Sequence, residues 1–225
     1  MGNAVTNLLL HGFSRYEKGE CSLEEARDDA RHLISRVRNG APFGNNTSIE
    51  NVCSHLLTSN RVVLERYYIC PNGHHVHHSN DYNAFLVCGN EYESIAQWVA
   101  TASVHTNARC QTCAHAVSIK LRFLDCPPLL AFCFHGFTLH VDSTITLSVG
   151  SHDCMYSLLA VVYYADQHFT AQIITRDGRI WYYDGLALTN QHIQPTLKYV
   201  GSMLCRPDLL TCGGGRASAA IYARL

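Results

Sequence analysis

The spacing of apolar and polar positions changes along the chain and sorts it into a helical first part and a stranded remainder. From Asn3 to Phe13, the residues Val5, Leu8, Leu9 and Phe13 fall at the intervals of one buried helix face. Gly19 and Glu20 end that helix. Ser22 and Glu25 form a capping box, after which Leu23, Ala26, Ala30, Leu33, Ile34 and Val37 line the inner face of a second helix that stops at Gly40. Pro42–Asn46 is a loop, and Asn45-Asn46-Thr47-Ser48 supplies the turn and N-cap for a third helix over Ile49–Leu57.

Beyond the helices the period falls to two. Arg61–Ile69 reads as a strand, as does Ala84–Val87, while Ser94–Ala102 fits a short helix or a strand equally. Val117, Ile119, Leu121 and Phe123 alternate strictly within Ala116–Phe123, and Cys126–Phe132 and Thr144–Val149 follow as further strands. Tyr156–Tyr164, Phe169–Thr175 and Ile180–Tyr183 form a group of three short strands, the last two joined by the hairpin turn Arg176-Asp177-Gly178-Arg179. Gly213-Gly214-Gly215 is a loop before a closing strand, Ala217–Arg224. Helices first and strands after predict an α+β fold.

Composition narrows the function classes. In 225 residues, 47% are hydrophobic, which requires a folded core and excludes a disordered chain. A net charge of −1 without any run of like charge gives neither a nucleic-acid footprint nor a polybasic membrane patch. No apolar stretch approaches the roughly 20 residues of a membrane span. Met1–Asn7 lacks the basic n-region of a secretory signal, so an intracellular, reducing location in cytoplasm or nucleus is expected.

In that setting the eleven cysteines read as thiols or metal ligands rather than as a disulfide framework. Cys88, Cys126, Cys133 and Cys154 lie in or beside apolar runs and read as small core residues. Cys70-Pro71-Asn72-Gly73-His74 and Cys110-Gln111-Thr112-Cys113 are two tight turns that together offer Cys70, His74, Cys110 and Cys113, a set suited to a tetrahedral structural zinc. His75, His77 and His78 follow at once and leave the imidazole ligand open. A redox pair or unliganded thiols is the other reading of the same cysteines.

The hairpin after Phe169–Thr175 brings His168, at the start of one strand, near Asp184, at the end of its partner. A histidine beside a carboxylate is the base-and-orienter half of a nucleophilic triad, or else an ordinary satisfied histidine. The run Gln167-His168-Phe169-Thr170-Ala171-Gln172, with Trp181-Tyr182-Tyr183-Asp184, resembles the histidine box of ubiquitin-specific proteases, Gly-His-Tyr-x-x-Tyr followed by Trp-Tyr-x-Phe-Asp. Gln167 stands in place of Gly, Phe169 and Gln172 in place of Tyr, and Gly185 in place of an acidic or amide residue. The order of helices, paired metal turns, Cys126-Pro127-Pro128 strand, histidine box and closing strand is similar to that family over most of the chain.

The resemblance implies a papain-like fold of the ubiquitin-specific protease type: a helical thumb-like part over 1–60, a zinc-bearing finger-like part over 61–125 and an antiparallel palm-like β part over 126–225. It implies His168 as general base, Asp184 as its orienter, and Cys70, His74, Cys110 and Cys113 as finger zinc ligands, where the family usually has four cysteines. The expected partner is ubiquitin or a ubiquitin-like protein, with no nucleic acid and no membrane. The family's nucleophile opens its first helix in a Cys-x-x-Asn-[Ser/Ala] pattern, and Asn3-Ala4 match its Asn and Ala positions. The cysteine would then fall one residue before Met1, so this polypeptide is expected to lack its nucleophile and to be inactive. Cys53 and Cys21 are the candidates for a relocated thiol. Three readings follow: a fragment of a cysteine isopeptidase, a pseudoenzyme that keeps the fold as a binding scaffold, and a zinc-stabilised interaction domain with a structural His–Asp pair.

Overall fold

The computed structural model describes residues 4–36, 48–134, 136–166, 168–175, 177–184, 196–200 and 209–225. Asn3, Val37, Gly40, the 42–46 loop, Gln167 and Gly185 lie outside them. The helical part comprises α1 (Ala4–Glu17), α2 (Leu23–Arg36) and α3 (Ile49–Leu56). The capping box closes as expected: Ser22 N–H donates to Glu25 Oε2 at 2.7 Å, and Glu25 N–H donates to Ser22 Oγ at 3.2 Å. Ala26, Ala30 and Ile34 of α2 are buried.

One expectation for α1 fails. Phe13 was assigned to its buried stripe but is 49% exposed, while Gly12 is buried. A Cβ at Gly12 would lie 2.7 Å from the Ala26 Cβ, so the two helices cross closely at that point. The buried face therefore runs through Val5, Leu9 and Gly12, and Phe13 turns outward.

Two sheets follow. The smaller has the order β2-β1-β5-β4, with β1 (Leu64–Ile69), β2 (His75–Asp81), β4 (Ser103–Arg109) and β5 (Ala116–Phe123), all antiparallel. The larger runs β11-β10-β9-β8-β13-β6-β3, built from β3 (Phe85–Val87), β6 (Leu129–Cys133), β8 (His152–Ala165), β9 (His168–Ile174), β10 (Arg179–Asp184), β11 (Thr196–Val200) and β13 (Gly215–Arg224). β7 (Thr144–Val149) pairs with β8, and β12 (Thr211–Cys212) pairs with β13. The expected antiparallel β part carries one parallel pair, β3 with β6. Tyr156–Tyr164 is also no short strand: it is the inner stretch of the long β8, pinned along its length by β7, β9 and β13.

Ser94–Ala102 resolves as a helix, α4 (Ile95–Thr101). Ser94 Oγ caps Gln97 N–H, and Asp142 Oδ2 accepts from Ala96 N–H at 2.7 Å. α4 inserts fully buried Trp98 into the main core, edge-on to Phe132, which in turn meets Tyr222. α3 covers the opposite face of the large sheet, where Cys53 packs with Phe85, Ala131 and Cys133. Among the described residues no helix is long and apolar enough to cross a membrane.

Cys88 and Cys133 are buried core thiols as expected, but Cys126 and Cys154 form a disulfide with Cα atoms 6.5 Å apart. Cys126 precedes Pro127-Pro128 in an extended segment held along β8, where Tyr156 donates its hydroxyl to Pro127 O. That alignment places the two cysteines within disulfide reach.

Candidate functional site

Two constellations of reactive side chains stand out, one on each sheet. On the large sheet, β10 pairs with β9 so that Asp184 lies opposite Thr170. His168 precedes Thr170 by two residues and so shares its face, which makes His168 and Asp184 diagonal neighbours. Their side chains meet: His168 Nε2 and Asp184 Oδ1 are 2.6 Å apart, and the two groups are 24% and 26% exposed. A carboxylate only accepts, so Nε2 carries the proton and the lone pair of the neutral ring lies on Nδ1. Nδ1 has no hydrogen-bond partner among the described residues. The ring is thus fixed in one tautomer, with its basic nitrogen open.

A supporting layer lies beneath the pair, and sequence reasoning missed it. Tyr182 shares the face of Asp184 and brings its hydroxyl to 3.4 Å from Oδ2. Burial is the largest influence on the Tyr182 phenol and, with the Asp184 carboxylate adding to it, raises it above its ordinary value against the lowering hydrogen bond with Thr170, so it remains a donor. Gln172, opposite Tyr182 and only 4% exposed, donates Nε2 to Cys212 Sγ at 3.0 Å. The period-two spacing of Gln172 from His168 and of Tyr182 from Asp184 is the signal that could have found them.

On the small sheet, the two turns do converge. Gly73 (φ +77°) closes the first, with its N–H on Cys70 O, and Ala114 (φ +58°) closes the second, with its N–H on Cys110 O. Both positions take the left-handed conformation that reverses the chain within a few residues. The ligand atoms of Cys70, His74, Cys110 and Cys113 lie within 4.8 Å of one another. Cys70 Sγ and Cys113 Sγ are 3.3 Å apart, and His74 Nδ1 is 3.7 Å from both Cys70 Sγ and Cys110 Sγ. A tetrahedral zinc with ordinary Zn–S and Zn–N bonds requires ligand–ligand edges of about 3.5–3.8 Å, so the set fits such an ion. Among the described side chains, the imidazole that joins the set is that of His74, through Nδ1.

Local dipoles prepare the thiols. The backbone N–H of His115 is the largest influence on Cys113 and pulls its thiol down to about 5, and the N–H of Thr112 lowers Cys110. Burial raises Cys70, while hydrogen bonding to Cys113 and Cys110 raises His74. A metal would replace those protons, since Cys ligands bind as thiolates and His binds neutral. His115 joins the rim of this cluster, with Nδ1 3.1 Å from Cys113 O.

The candidate replacement thiols fare poorly. Cys53 is buried in the α3 interface, where burial pushes its thiol up to about 12. Cys21 points its Sγ at Gly12 O, 3.6 Å away, in the corner between α1 and α2.

No protein-family model and no curated protein sequence matches the chain. Solved structures do match its fold. It aligns with a chain of the yeast SAGA DUB module carrying an Sgf73 mutant at a TM-score of 0.56 and 11% identity, over 98% of this chain and 64% of that one. Against the Ubp8-Sgf11-Sgf73-Sus1 SAGA DUB module the TM-score is 0.53 at 11% identity, covering 94% and 50%. Against the Ubp8-containing module bound to monoubiquitin it is 0.51 at 12%, covering 89% and 48%. The chain thus spans between about half and two thirds of the solved chains that it matches. At this identity the likeness is one of architecture: the α+β fold is like that of the Ubp8 ubiquitin-specific protease module.

Proposed function

We propose that the chain is a ubiquitin-specific-protease-like domain that binds ubiquitin or a ubiquitin-like protein, with His168 as general base and Asp184 as its orienter. The observation that carries this reading is the 2.6 Å bond from His168 Nε2 to Asp184 on adjacent strands, with Nδ1 left open. A thiol placed at Nδ1 would pass its proton there and attack the carbonyl carbon of an isopeptide bond as thiolate. The imidazolium, stabilised by Asp184, would return the proton to the leaving amine. Water, activated by the same nitrogen, would then hydrolyse the thioester. Zinc held by Cys70, His74, Cys110 and Cys113 would act only as a cross-link of the finger-like part.

We further propose that this polypeptide binds without cleaving. Cys53 and Cys88 are pushed up to about 12 by burial, Cys133 is raised likewise, and Cys126 and Cys154 are joined. Cys70, Cys110 and Cys113 belong to the metal set. Among the described residues no thiol hydrogen-bonds His168. The same observation favours the second reading, a pseudo-protease that serves as a zinc-stabilised protein-binding scaffold. The test is turnover of a fluorogenic ubiquitin amide. None is expected, and turnover abolished by His168→Ala would show that a thiol of this chain serves after all.

A further inference from the structure

The sheet that carries the metal turns and the sheet that carries His168 and Asp184 meet at a joint, and the Cys126–Cys154 disulfide lies in it. The chain leaves β5 of the small sheet at Phe123 and enters β6 of the large sheet at Leu129, with Cys126 midway. The first half of this crossing is held at the small sheet, because the N–H groups of Leu124 and Asp125 both donate to Val63 O, just before β1. The second half lies on the large sheet. Arg224 donates Nη1 to Cys126 O at 2.6 Å and its N–H to Pro128 O at 3.0 Å, and between them Tyr156 donates to Pro127 O. The bond from Cys126 to Cys154 of β8 is thus a covalent anchor at the residue where the crossing changes sheets.

Beside that anchor the two layers are not packed solid. Cys154 lies opposite Leu147 of β7 and shares its inward face. Leu147 lines a cleft of about 560 Å³ together with Leu121 and Phe123 of β5, Val99 of α4 and Ala102 just after it. Close packing is what makes a protein interior resist displacement, so a gap here leaves room for the small sheet to tilt on the large one.

The bond is also placed for exchange. Both cysteines are partly exposed, and the nearby Leu124 and Met155 are 42% and 53% exposed. Eight other cysteines among the described residues are free, and those of the metal set must be thiolates to hold an ion. Surroundings that keep those thiols reduced are surroundings in which a single reachable disulfide exchanges.

We propose that Cys126–Cys154 is a reversible redox site that sets how rigidly the metal-bearing sheet is held on the sheet of His168. Its co-reactant is a small thiol of the glutathione class. One glutathione thiolate attacks a sulfur of the bond, forming a mixed disulfide and releasing the other cysteine as a thiolate, which takes up a proton. A second glutathione thiolate attacks the glutathione sulfur of the mixed disulfide and departs as glutathione disulfide. The second cysteine is released in turn, so two electrons pass to the protein and both cysteines end as thiols. Glutathione disulfide drives the same steps backwards.

The test uses the folded, metal-loaded chain in glutathione buffers ranging from oxidised to reduced. Each sample is acid-quenched, alkylated and mapped by mass, and hydrogen exchange is run on each form. The pair is expected to pass from bonded to dithiol while the metal and the protection of Val161 and Ala220, paired at the centre of the large sheet, are retained. On reduction the amides of Leu124, Asp125 and Arg224, whose bonds hold the crossing down, should lose at least about tenfold of their protection. The double variant Cys126→Ala/Cys154→Ala should show that loss in every buffer. The proposal is overturned by a bond that opens only when Val161 and Ala220 lose protection, by a pair that stays dithiol in oxidised glutathione, or by crossing amides equally protected in both forms.

Discussion

Removal of the metal should open the tip of the small sheet and leave the large sheet intact. Apolar burial at the tip is slight: Val117 packs there with Cys70 and Cys110, and Tyr68 and Cys113 lie against them half-exposed. Burying one valine contributes about 1.5–3 kcal/mol, and each turn hydrogen bond about 1 kcal/mol. Ordering each residue of the two turns costs about 1–2 kcal/mol, so these contacts alone do not hold 70–74 and 110–115 in place. A structural zinc contributes about 10–16 kcal/mol in comparable small sites, enough to decide the balance. The large sheet has no such dependence, because Trp98, Phe132, Tyr156 and Tyr222 are fully buried in its own core. The assay is hydrogen–deuterium exchange with and without a strong chelator, with metal content followed by native mass spectrometry. Amides of 70–78 and 108–116 should lose at least about 100-fold of their protection while those of β8 and β13 keep theirs. Unchanged protection after verified metal loss would refute the reasoning, and less than about 0.3 metal per chain after native purification would sink the zinc assignment itself.

Further outcomes are expected. After chelation opens the tip, Cys70, Cys110 and Cys113 should be alkylated well before Cys53 and Cys88, whose thiols burial pushes up to about 12; equal rates by peptide mass mapping would contradict that selective opening. The Tyr67 hydroxyl, then Arg122 and His78, hold the Glu65 carboxyl below its ordinary value. Its contribution is therefore present above the unfolded value near about 4.3 and lost as pH falls through the lowered folded value, so Glu65→Gln should flatten the acid limb of a Tm–pH profile. Gly12→Ala should destabilise the α1–α2 contact, because overpacking against Ala26 costs about 1–3 kcal/mol against about 1 kcal/mol of helix propensity gained; a raised Tm would contradict the close crossing. Ser22→Ala should cost about 1 kcal/mol in denaturant unfolding, the usual value of an N-cap.

What the sequence disclosed followed from local rules. The capping box at Ser22, the N-cap at Ser48 and the strict alternation from Val117 to Phe123 act within a few residues, and the structure forms each of them. His168 and Asp184 were legible because a short hairpin converts sequence separation into register. The α4 helix was not, because one of its N-terminal partners is Asp142, far along the chain. β2 and β4 were missed because they are the two edges of their sheet, need only one hydrogen-bonded neighbour each, and show no apolar alternation. The position of His74 beside the cysteines depends on the turn at Gly73, and the Cys126–Cys154 bond on strand alignment. Phe13 faces outward because Gly12, whose lack of a side chain carries no hydrophobic signal, sets the crossing with α2.

The central claim, a ubiquitin-binding domain built around the His168–Asp184 pair, is tested most directly by titrating ¹⁵N-labelled ubiquitin with this chain and following its amide spectrum. The account predicts saturable perturbation that includes the C-terminal tail residues, with the tail effects altered by His168→Ala. A ubiquitin spectrum unchanged at a tenfold excess of the folded, metal-loaded chain would contradict it.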